Sequence, residues 1–467
     1  MSLQSRLCLA TGLLASIAHA TPDTAQPTLE TVTVWAQKRE MPLQDVSMPL
    51  STLTGAQLND AGIDNIDGVA TALPALDMQR SVGPVTTTLR IRRVGNLGNI
   101  PTFEPAVGLF VDGAFRSRSL LSTADLLDVD RIEVLHGPQS TLYGKNASAG
   151  VVAVYTRRPT RELSTELEIT TGVMDVDCSP WLYKASGSLS GPLTESFGGT
   201  LSAAYSGFDH TITNALPGPH GNDRSRITTR GQLEWTPNDR LSLRLLAGYL
   251  REHDDQGESD VYLSPGSRSW NIATALQQAG VASACADDVP RNRTTCSVAT
   301  NQLDLEAIDL TLLARYRLSN GWVIDSVTAW DRYEDRRDED DVAQLYTPLM
   351  FFHDSERGTS VQEELRLASD NDGAVSWLAG LFYYKNDYSR GSGGARPMFG
   401  PNGAAAFLPF WTTVLPLPLA LPDQLGLHDS RLDTDYYSVF GQLAIDVTDR
   451  LSVTGGLRWQ REDKEGS

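Results

Sequence analysis

The chain has 467 residues, of which 58 are acidic and 39 basic, and its formal net charge is -19. This acidic balance argues against a nucleic-acid partner, because phosphate binding needs clustered Lys and Arg. The length allows more than one domain. After the N-terminal segment, no stretch approaches the about 18 continuous apolar residues of a membrane-spanning helix.

The first 20 residues are predicted to be a secretory signal peptide. Arg6 supplies a positive charge, Leu7 to Ile17 form a short apolar run, and Ala18-His19-Ala20 has the small-x-small pattern of a cleavage site. We therefore expect the mature protein to begin at Thr21. Export would also allow Cys285 and Cys296, which share one hydrophilic segment, to form a disulfide within a long loop.

Residues 21–41 are predicted to form a flexible arm. The segment contains Thr and Pro and one β-prone island, Thr31-Val32-Thr33-Val34-Trp35. Extended β-branched residues suit pairing with the edge strand of a partner, although any β-strand could have this pattern. No His or second Cys stands at ligand spacing near Cys178, so we expect no metal site there.

Residues 42–159 have the mixed pattern of a small α+β domain. Thr54 is a candidate N-cap for a helix through Leu58, and Ile63 to Leu73 offer one apolar helical face that ends before Pro74. The predicted strands are Thr87 to Arg92, Val107 to Val111 with an Asp112-Gly113 turn, Arg131 to Leu135, and Gly150 to Thr156.

From Leu163 onward, apolar and polar side chains alternate with a period of two. In Leu241 to Tyr249, for example, the odd positions are apolar. A soluble sandwich would also show this alternation. Tight turns such as Thr236 to Asp239, set against long connections over Glu252 to Gln302 and Lys385 to Asp433, favour a transmembrane barrel instead.

The alternating segments correspond to about 11 strands, which is half of the about 22 in barrels wide enough to hold a separate domain. The predicted fold class is thus an α+β domain followed by part of an antiparallel transmembrane β-barrel, over residues 160–467. The end at Ser467 lacks the terminal aromatic strand of a complete barrel. We therefore expect the intact protein to extend further.

The most informative stretch runs from Asp128 to Asn146 and reads DVDRIEVLHGPQSTLYGKN. It closely resembles the plug of TonB-dependent outer-membrane receptors, whose pattern there is approximately D-x-x-R-[IV]-E-V-L-R-G-P-x-x-x-L-Y-G. The residues that carry the resemblance are Arg92, Arg93, Asp112, Gly113, Arg131, Glu133, Gly137, Pro138, Leu142, Tyr143 and Gly144.

Two positions depart from the family pattern. His136 stands where the family often has Arg, and Arg92-Arg93-Val94-Gly95 stands where Arg-Gly is usual before a variable residue and Gly. Arg131 and Glu133 lie on one side of a strand. The resemblance implies that both contact the barrel wall, whereas their residue types alone would suit an ordinary surface ion pair.

The resemblance also implies how the protein works. It identifies Glu30-Thr31-Val32-Thr33-Val34 as a TonB box and implies TonB, with ExbB and ExbD, as the energising partner. The implied location is the Gram-negative outer membrane with its lipopolysaccharide. The implied activity is uptake of a scarce ligand, most commonly a ferric siderophore, with cobalamin, haem and oligosaccharides as alternatives.

Candidate ligand residues come from the more basic part of the plug. Arg80, Arg90, Arg116 and Arg118 could attract an anionic chelate. The acidic run Asp331 to Asp341 is interpreted as a solvated loop, with a site for a cation or basic ligand as the alternative.

No catalytic function is expected. The chain contains no Gly-x-Ser-x-Gly elbow, His-Glu-x-x-His motif or P-loop, and we expect no cofactor. An outer-membrane adhesion or phage-binding protein is the alternative of another class, although the plug motif would have no purpose there.

Overall fold

The structure is a computed structural model that describes residues 33–35, 38, 41–42, 44, 46, 48–81, 83–96, 104–117, 124–173, 180–209, 211, 213–214, 223–255, 294–295, 302–339, 351–370, 373–396, 428–448 and 450–467. Several predictions lie outside this part of the chain: the signal peptide, Glu30 to Val32 of the arm, Arg118, the side chain of Arg80, and the disulfide between Cys285 and Cys296.

The chain divides into two compact units, residues 1–46 and 47–467. The described part of the first unit contains an antiparallel pair of two-residue strands, β1 (Thr33–Val34) and β2 (Met41–Pro42). The end of the predicted β-prone island is therefore extended, as its β-branched residues favour.

In the second unit, the first two helices begin where side chains cap them. Helix α1 (Gly55–Asp60) follows the predicted N-cap Thr54, which forms a capping box with Gln57. Helix α2 (Ile66–Ala72) starts at Ile66 rather than Ile63, because Asn65 caps it by accepting a hydrogen bond from the Gly68 N–H at 2.9 Å. No described helix has the length and apolar content to cross a membrane.

Residues 48–159, called the plug below, contain a hairpin and a five-stranded sheet. The sheet has the order β3-β8-β9-β6-β7, and only β6 and β9 pair in parallel. The elements are β3 (Leu50–Thr54), the hairpin β4 (Leu76–Ser81) and β5 (Gly83–Ile91), β6 (Val107–Val111), β7 (Ala114–Arg116), β8 (Val129–His136), helix α3 (Ser140–Tyr143) and β9 (Gly150–Thr156).

The plug core and one tight turn agree with the sequence patterns. Leu58 of α1 and Val69 of α2 pack on Ile132 of β8 in a buried apolar cluster. The predicted Asp112-Gly113 turn joins β6 to β7, and both residues have positive φ, 50° and 84°. A type I′ two-residue hairpin turn requires this left-handed backbone at both positions.

Eleven strands of the second unit form one antiparallel sheet, called the wall below, which confirms the predicted partial barrel. They are β10 (Ser164–Val173), β11 (Trp181–Pro192), β12 (Phe197–Phe208), β14 (Arg224–Asn238), β15 (Leu241–Asp254), β17 (Gln302–Arg317), β18 (Val323–Glu339), β19 (Phe351–Ala368), β20 (Val375–Arg396), β21 (His428–Thr448) and β22 (Leu451–Gly466); β13 (Thr213–Asn214) and β16 (Thr294–Thr295) form a separate parallel pair.

The polar face of the wall is buried and its apolar face is exposed. Arg226 and Arg244 are 2% and 6% exposed, whereas their neighbours Ile227 and Leu245 are 43% and 42% exposed. A soluble sandwich would bury the apolar face instead. The observed arrangement is that of a membrane barrel, whose outer surface meets lipid.

Two predicted loops are corrected by the strands. The connection predicted over Lys385 to Asp433 is shorter, because β20 continues to Arg396 and β21 begins at His428. The acidic run from Asp331 lies in β18 up to Glu339, so this part is not a solvated loop. Asp335 and Arg337 are 0% and 3% exposed, so alternate side chains of the run face the polar interior.

Candidate functional site

The Leu-Tyr-Gly part of the motif packs the plug against the wall. Leu142 and Tyr143 of α3 are buried in an apolar cluster that also contains Tyr436 and Phe440 of β21. The ring of Tyr143 meets that of Phe110, with 5.1 Å between their centroids and an edge-on geometry. Helix α3, which the sequence did not predict, is therefore the plug element that docks on this part of the wall.

Gly144 follows α3 and lies against a wall arginine. It has φ 81°, and a Cβ at this position would stand 2.5 Å from Nη2 of Arg458. Nη1 of Arg458 donates to the carbonyl oxygens of Thr141 and Leu142 at 3.4 and 3.3 Å. The arginine thereby satisfies carbonyl groups at the C-terminal end of α3 that have no partner within the helix.

The Gly-Pro part of the motif shapes a turn within the plug. Gly137 has φ 85°, and a Cβ there would meet no atom within 4 Å. Its N–H donates to the Ala149 carbonyl oxygen at 3.1 Å, and the Gln139 N–H donates to that of Ala147 at 2.8 Å. Gly137 is thus needed for its backbone conformation alone, and Pro138 restricts the same turn.

Arg131 and Glu133 pair with each other. The Nε of Arg131 donates to Oε1 of Glu133 at 2.8 Å, and its guanidinium carbon lies 4.5 Å from the ring centroid of Tyr155. Burial opposes the charge of Arg131, but Glu133 outweighs it and raises the Arg131 pKa. Both side chains point the same way along β8, which allows this ion pair inside the plug. The expected contact of Arg131 and Glu133 with the wall stays a prediction.

The edge strand β7 is fixed to the wall by what we call the clamp, formed by Phe115 and Arg116 with Asp309, Thr311 and Gln362. Gln362 accepts from the Phe115 N–H and donates to its carbonyl oxygen, both at 3.0 Å. Nη2 of Arg116 donates to Asp309 at 2.8 Å and to Thr311 at 3.1 Å. The side chain of Gln362 thus replaces the next strand for β7.

Arg116 is one of the predicted ligand residues, and the structure places it in this clamp. It is 4% exposed, and Nη1 also lies 3.7 Å from Asp331 of β18. Its described partners are carboxylates and a hydroxyl group of the wall. Its ligand role stays a prediction.

The Asp112 turn is bonded to the plug and to the wall. Asp112 accepts from the N–H and the hydroxyl of Thr156 at 3.1 and 2.8 Å. Nη1 of Arg244 lies 3.5 Å from Asp112, and Nη2 donates to Gln232 at 2.7 Å. The motif aspartate therefore connects β9 with strands β14 and β15.

A second set of contacts, which the sequence analysis missed, involves Ala124–Val129, called the latch segment. Asp125 accepts from Ser206 at 3.1 Å and Thr228 at 3.2 Å. Ser202 donates to Asp128, and burial raises the pKa of that carboxyl although Arg230 and Arg157 oppose the shift. Asp128 is the first residue of the family motif and Asp125 lies three positions before it, so their place at the motif was the signal that could have pointed to them.

Arg92 and Arg93 form the turn after β5. Their φ angles are 52° and 66°, and Ile91 and Val94 bond each other on both sides of the turn at 3.0 and 2.9 Å. Non-glycine residues rarely adopt this backbone. The departure from the family's Arg-Gly therefore leaves Arg93 in a conformation that glycine would adopt more easily. Arg90, another predicted ligand residue, is half-buried beside this turn.

Lys145, directly after the motif, forms an ion cluster with the last wall strand. Its Nζ lies 2.7 Å from Glu104 and 2.6 Å from Glu462, and Lys464 lies 3.1 Å from Glu104. Burial acts to raise the Glu104 pKa, but Lys145 and Lys464 together lower it.

Among the described residues, no group of three or more His, Cys, Asp or Glu side chains could hold a metal ion.

Comparison with known proteins gives a family for both parts of the second unit. The model of the TonB-dependent receptor plug domain matches residues 42–151, and that of the TonB-dependent receptor-like β-barrel matches residues 283–467. The pesticin receptor of Yersinia pestis is 33% identical over 184 residues, which cover 39% of this chain and 26% of the receptor.

Solved structures share the fold. The ferric yersiniabactin uptake receptor of Yersinia pestis matches with a TM-score of 0.68 and 20% identity, over 90% of this chain and 57% of that one. The ferripyoverdine receptor of Pseudomonas aeruginosa, bound to ferripyoverdine, matches with a TM-score of 0.68 and 16% identity, over 93% and 55%. The chain thus spans little more than half of these receptors.

Proposed function

Because the chain belongs to the TonB-dependent receptors of the outer membrane, we propose that it forms the arm, the plug and the N-terminal part of the barrel of an active transporter. Residues 1–20 would be the signal peptide, 21–41 the arm with the TonB box, 42–159 the plug and 160–467 the barrel segment. One observation carries the proposal: a folded plug is bonded to the polar inner face of a wall whose outer face is apolar.

The mechanism follows from that arrangement. A ligand binds among the long loops, TonB pairs with the arm, and the complex with ExbB and ExbD transmits force from the inner-membrane proton gradient. Many plug contacts are hydrogen bonds and ion pairs, such as those of Asp125 and Arg116. Water can replace such bonds when the plug moves, so each bond to a charged group contributes only about 1.5–3 kcal/mol net.

A ferric siderophore is the ligand class that we propose. The two structural neighbours named above share this fold, and one is a ferric yersiniabactin uptake receptor and the other a ferripyoverdine receptor. Cobalamin, haem and oligosaccharides are the alternatives within the family. The transcript level of the gene under iron limitation distinguishes these ligand classes. Induction supports a siderophore, and a constant level contradicts it.

Deletion of TonB tests active transport itself. Cells that express the full receptor gene would be offered radiolabelled ferric yersiniabactin and ferripyoverdine, with and without TonB. We expect binding of one chelate to the cell surface in both strains and its uptake only in the strain with TonB. Uptake at the same rate in both strains would indicate a passive pore. Binding without uptake in either strain would indicate an adhesion or phage-binding protein.

A further inference from the structure

The two sides of the plug are attached to the wall differently. Toward β20 and β21, eight plug side chains and five wall side chains form one buried apolar cluster, and Tyr143 and Tyr436 are among them. Toward β10, β11, β12 and β14, the buried apolar clusters of the described residues include no side chain of these strands, and hydrogen bonds and ion pairs join the plug to the wall. Arg157 with Glu166 at 3.0 Å and Lys184 with Asp64 at 3.4 Å are examples.

This difference decides which side separates more easily. Exposing apolar surface to water is unfavourable in proportion to the area exposed. A polar contact that opens to water exchanges its partner instead, so its net cost is small. The plug should therefore leave β10 to β14 at a smaller cost than β20 and β21.

A cavity of about 400 Å³ already lies on the polar side. Strands β11 and β12 line it with small side chains, which include Ser186, Gly187, Ser188, Ser202 and Ser206. Because these side chains are short, they leave space between the wall and the plug. The cavity extends along β11 and β12. It reaches from Ser188 and Ser202, in the middle of these strands, to Tyr183 and Phe208, near the strand ends beside the longer connections.

The latch segment spans this space. Asp125 and Asp128 line the cavity and reach the hydroxyl groups of Ser206 and Ser202 on β12. Asp125 is 3% exposed, and Arg226 lies 3.9 Å from it. Arg230 also donates to the Leu127 carbonyl oxygen at 2.9 Å. The segment is thus bonded to the wall through two carboxylates and one backbone group.

We propose that the substrate route of this receptor runs between the plug and strands β10, β11, β12 and β14, and that the latch segment Ala124–Val129 closes it. The inference rests on the proposed transport function and adds its path. Hydroxyl groups and charges of both signs line the path, so it suits a hydrophilic chelate. TonB-driven movement of the plug would break the Asp125 and Asp128 bonds and widen the existing cavity.

The path can be tested without a ligand and without TonB. Purified full receptor would be placed in planar bilayers, and the KCl current would be measured for Asp125→Ala with Asp128→Ala. The matched control, Arg116→Ala with Gln362→Ala, removes side-chain bonds from the clamp. We expect at least a tenfold increase in open-channel events for the latch variant and none for the control. Equal currents in both, or none in the latch variant, would overturn the proposal.

A charge reversal inside the path provides a local readout. Glu168 lines the cavity on β10. In the latch variant, Glu168→Lys should shift the reversal potential in a KCl gradient toward anion selectivity, because the new cation faces the conducting space. An unchanged reversal potential would place the current elsewhere.

Tethers keep the test valid if the latch variant fails to fold. An oxidised pair of Asp128→Cys and Ser202→Cys would fix the latch segment to the wall. An oxidised pair of Thr141→Cys and Gly456→Cys would fix the opposite side, where a Cβ at 456 would stand 2.9 Å from Thr141 Cγ2. In dilute urea, we expect only the oxidised latch tether to suppress the KCl current. Suppression by the other tether alone would refute the route.

These currents do not depend on TonB, so failure of the transport proposal would be seen separately, in the uptake assay.

Discussion

The guanidinium of Arg458 occupies the space that a side chain on residue 144 would need, since a Cβ at Gly144 would lie 2.5 Å from Nη2. The two residues belong to different parts of the protein, Gly144 to the plug and Arg458 to the last wall strand. The family motif ends in glycine at this point, and the structure gives a reason. With glycine here, the arginine reaches the Thr141 and Leu142 carbonyl oxygens, whereas a Cβ would force its guanidinium to shift.

Gly144→Ala should therefore loosen α3 from the wall. The left-handed backbone alone costs on the order of 1–3 kcal/mol with a side chain, and displacement of Arg458 would add lost hydrogen bonds. Gly137→Ala is the matched control, because Gly137 also has positive φ but a Cβ there meets nothing within 4 Å. The hydrogen-exchange rate of residues 140–146 should increase more in Gly144→Ala than in Gly137→Ala. An equal increase would show that the Arg458 contact contributes nothing.

The clamp yields a second prediction, through a double-mutant cycle on Arg116 and Asp309. Breaking a buried ion pair by removing one partner typically costs about 3–5 kcal/mol, because the other charge stays buried and unpaired. Each single alanine variant should lower the free energy of local opening at β7, and the double variant should lose less than the sum. Hydrogen exchange of β7 measures this, with Arg93→Ala at an exposed position as the control.

The same variants test the predicted ligand role of Arg116. If Arg116 binds the ligand directly, its replacement should weaken ligand binding while Asp309→Ala should not. If Arg116 acts only in the clamp, both variants should change β7 exchange, and both should leave surface binding unchanged.

His136 gives the plug a pH dependence. Its Nε2 lies 2.9 Å from Ser51 Oγ, which joins the edge strand β3 to β8. Burial, and then the charge of Arg92, lowers the pKa of His136 below 6.5. The folded plug therefore binds fewer protons here than the unfolded chain, so the stability contribution is complete above about pH 6.5 and is lost as the pH falls below it.

Hydrogen exchange of β3, corrected for the intrinsic rate, should increase between about pH 7 and about pH 5. His136→Gln keeps a polar side chain at this position but does not titrate, and it should remove the change. A pH response of the same size in this variant would assign it to another group.

Local patterns predicted much of this fold because they depend on neighbouring residues. Thr54 and Gln57 form the capping box, Asp112 and Gly113 form the turn, and the period of two gave the strand number. Long-range docking leaves no such pattern. Phe115 and Gln362 are 247 positions apart, and α3 has only four residues. The acidic run from Asp331 was misread because charges usually mark solvated loops, whereas here alternate charges face a polar interior.

The predicted disulfide between Cys285 and Cys296 can be tested by alkylation. If Cys285 and Cys296 form the predicted disulfide, alkylation of the mature receptor without reductant should label no cysteine of this chain other than Cys178. Reduction before alkylation should add two labels. Labelling of Cys285 or Cys296 without reductant would contradict the disulfide.

The arm gives the most direct test of energised transport. Val32→Pro should abolish uptake while leaving ligand binding intact, because proline removes the backbone N–H that strand addition to TonB requires. Val32→Thr keeps both the N–H and the β-branched shape, so it should transport at nearly the normal rate. Surface binding at low temperature, where uptake stops, measures the ligand site separately. Undiminished uptake by the proline variant would refute the TonB-box assignment of Glu30 to Val34, whereas loss of binding would show that proline disturbs more than the arm.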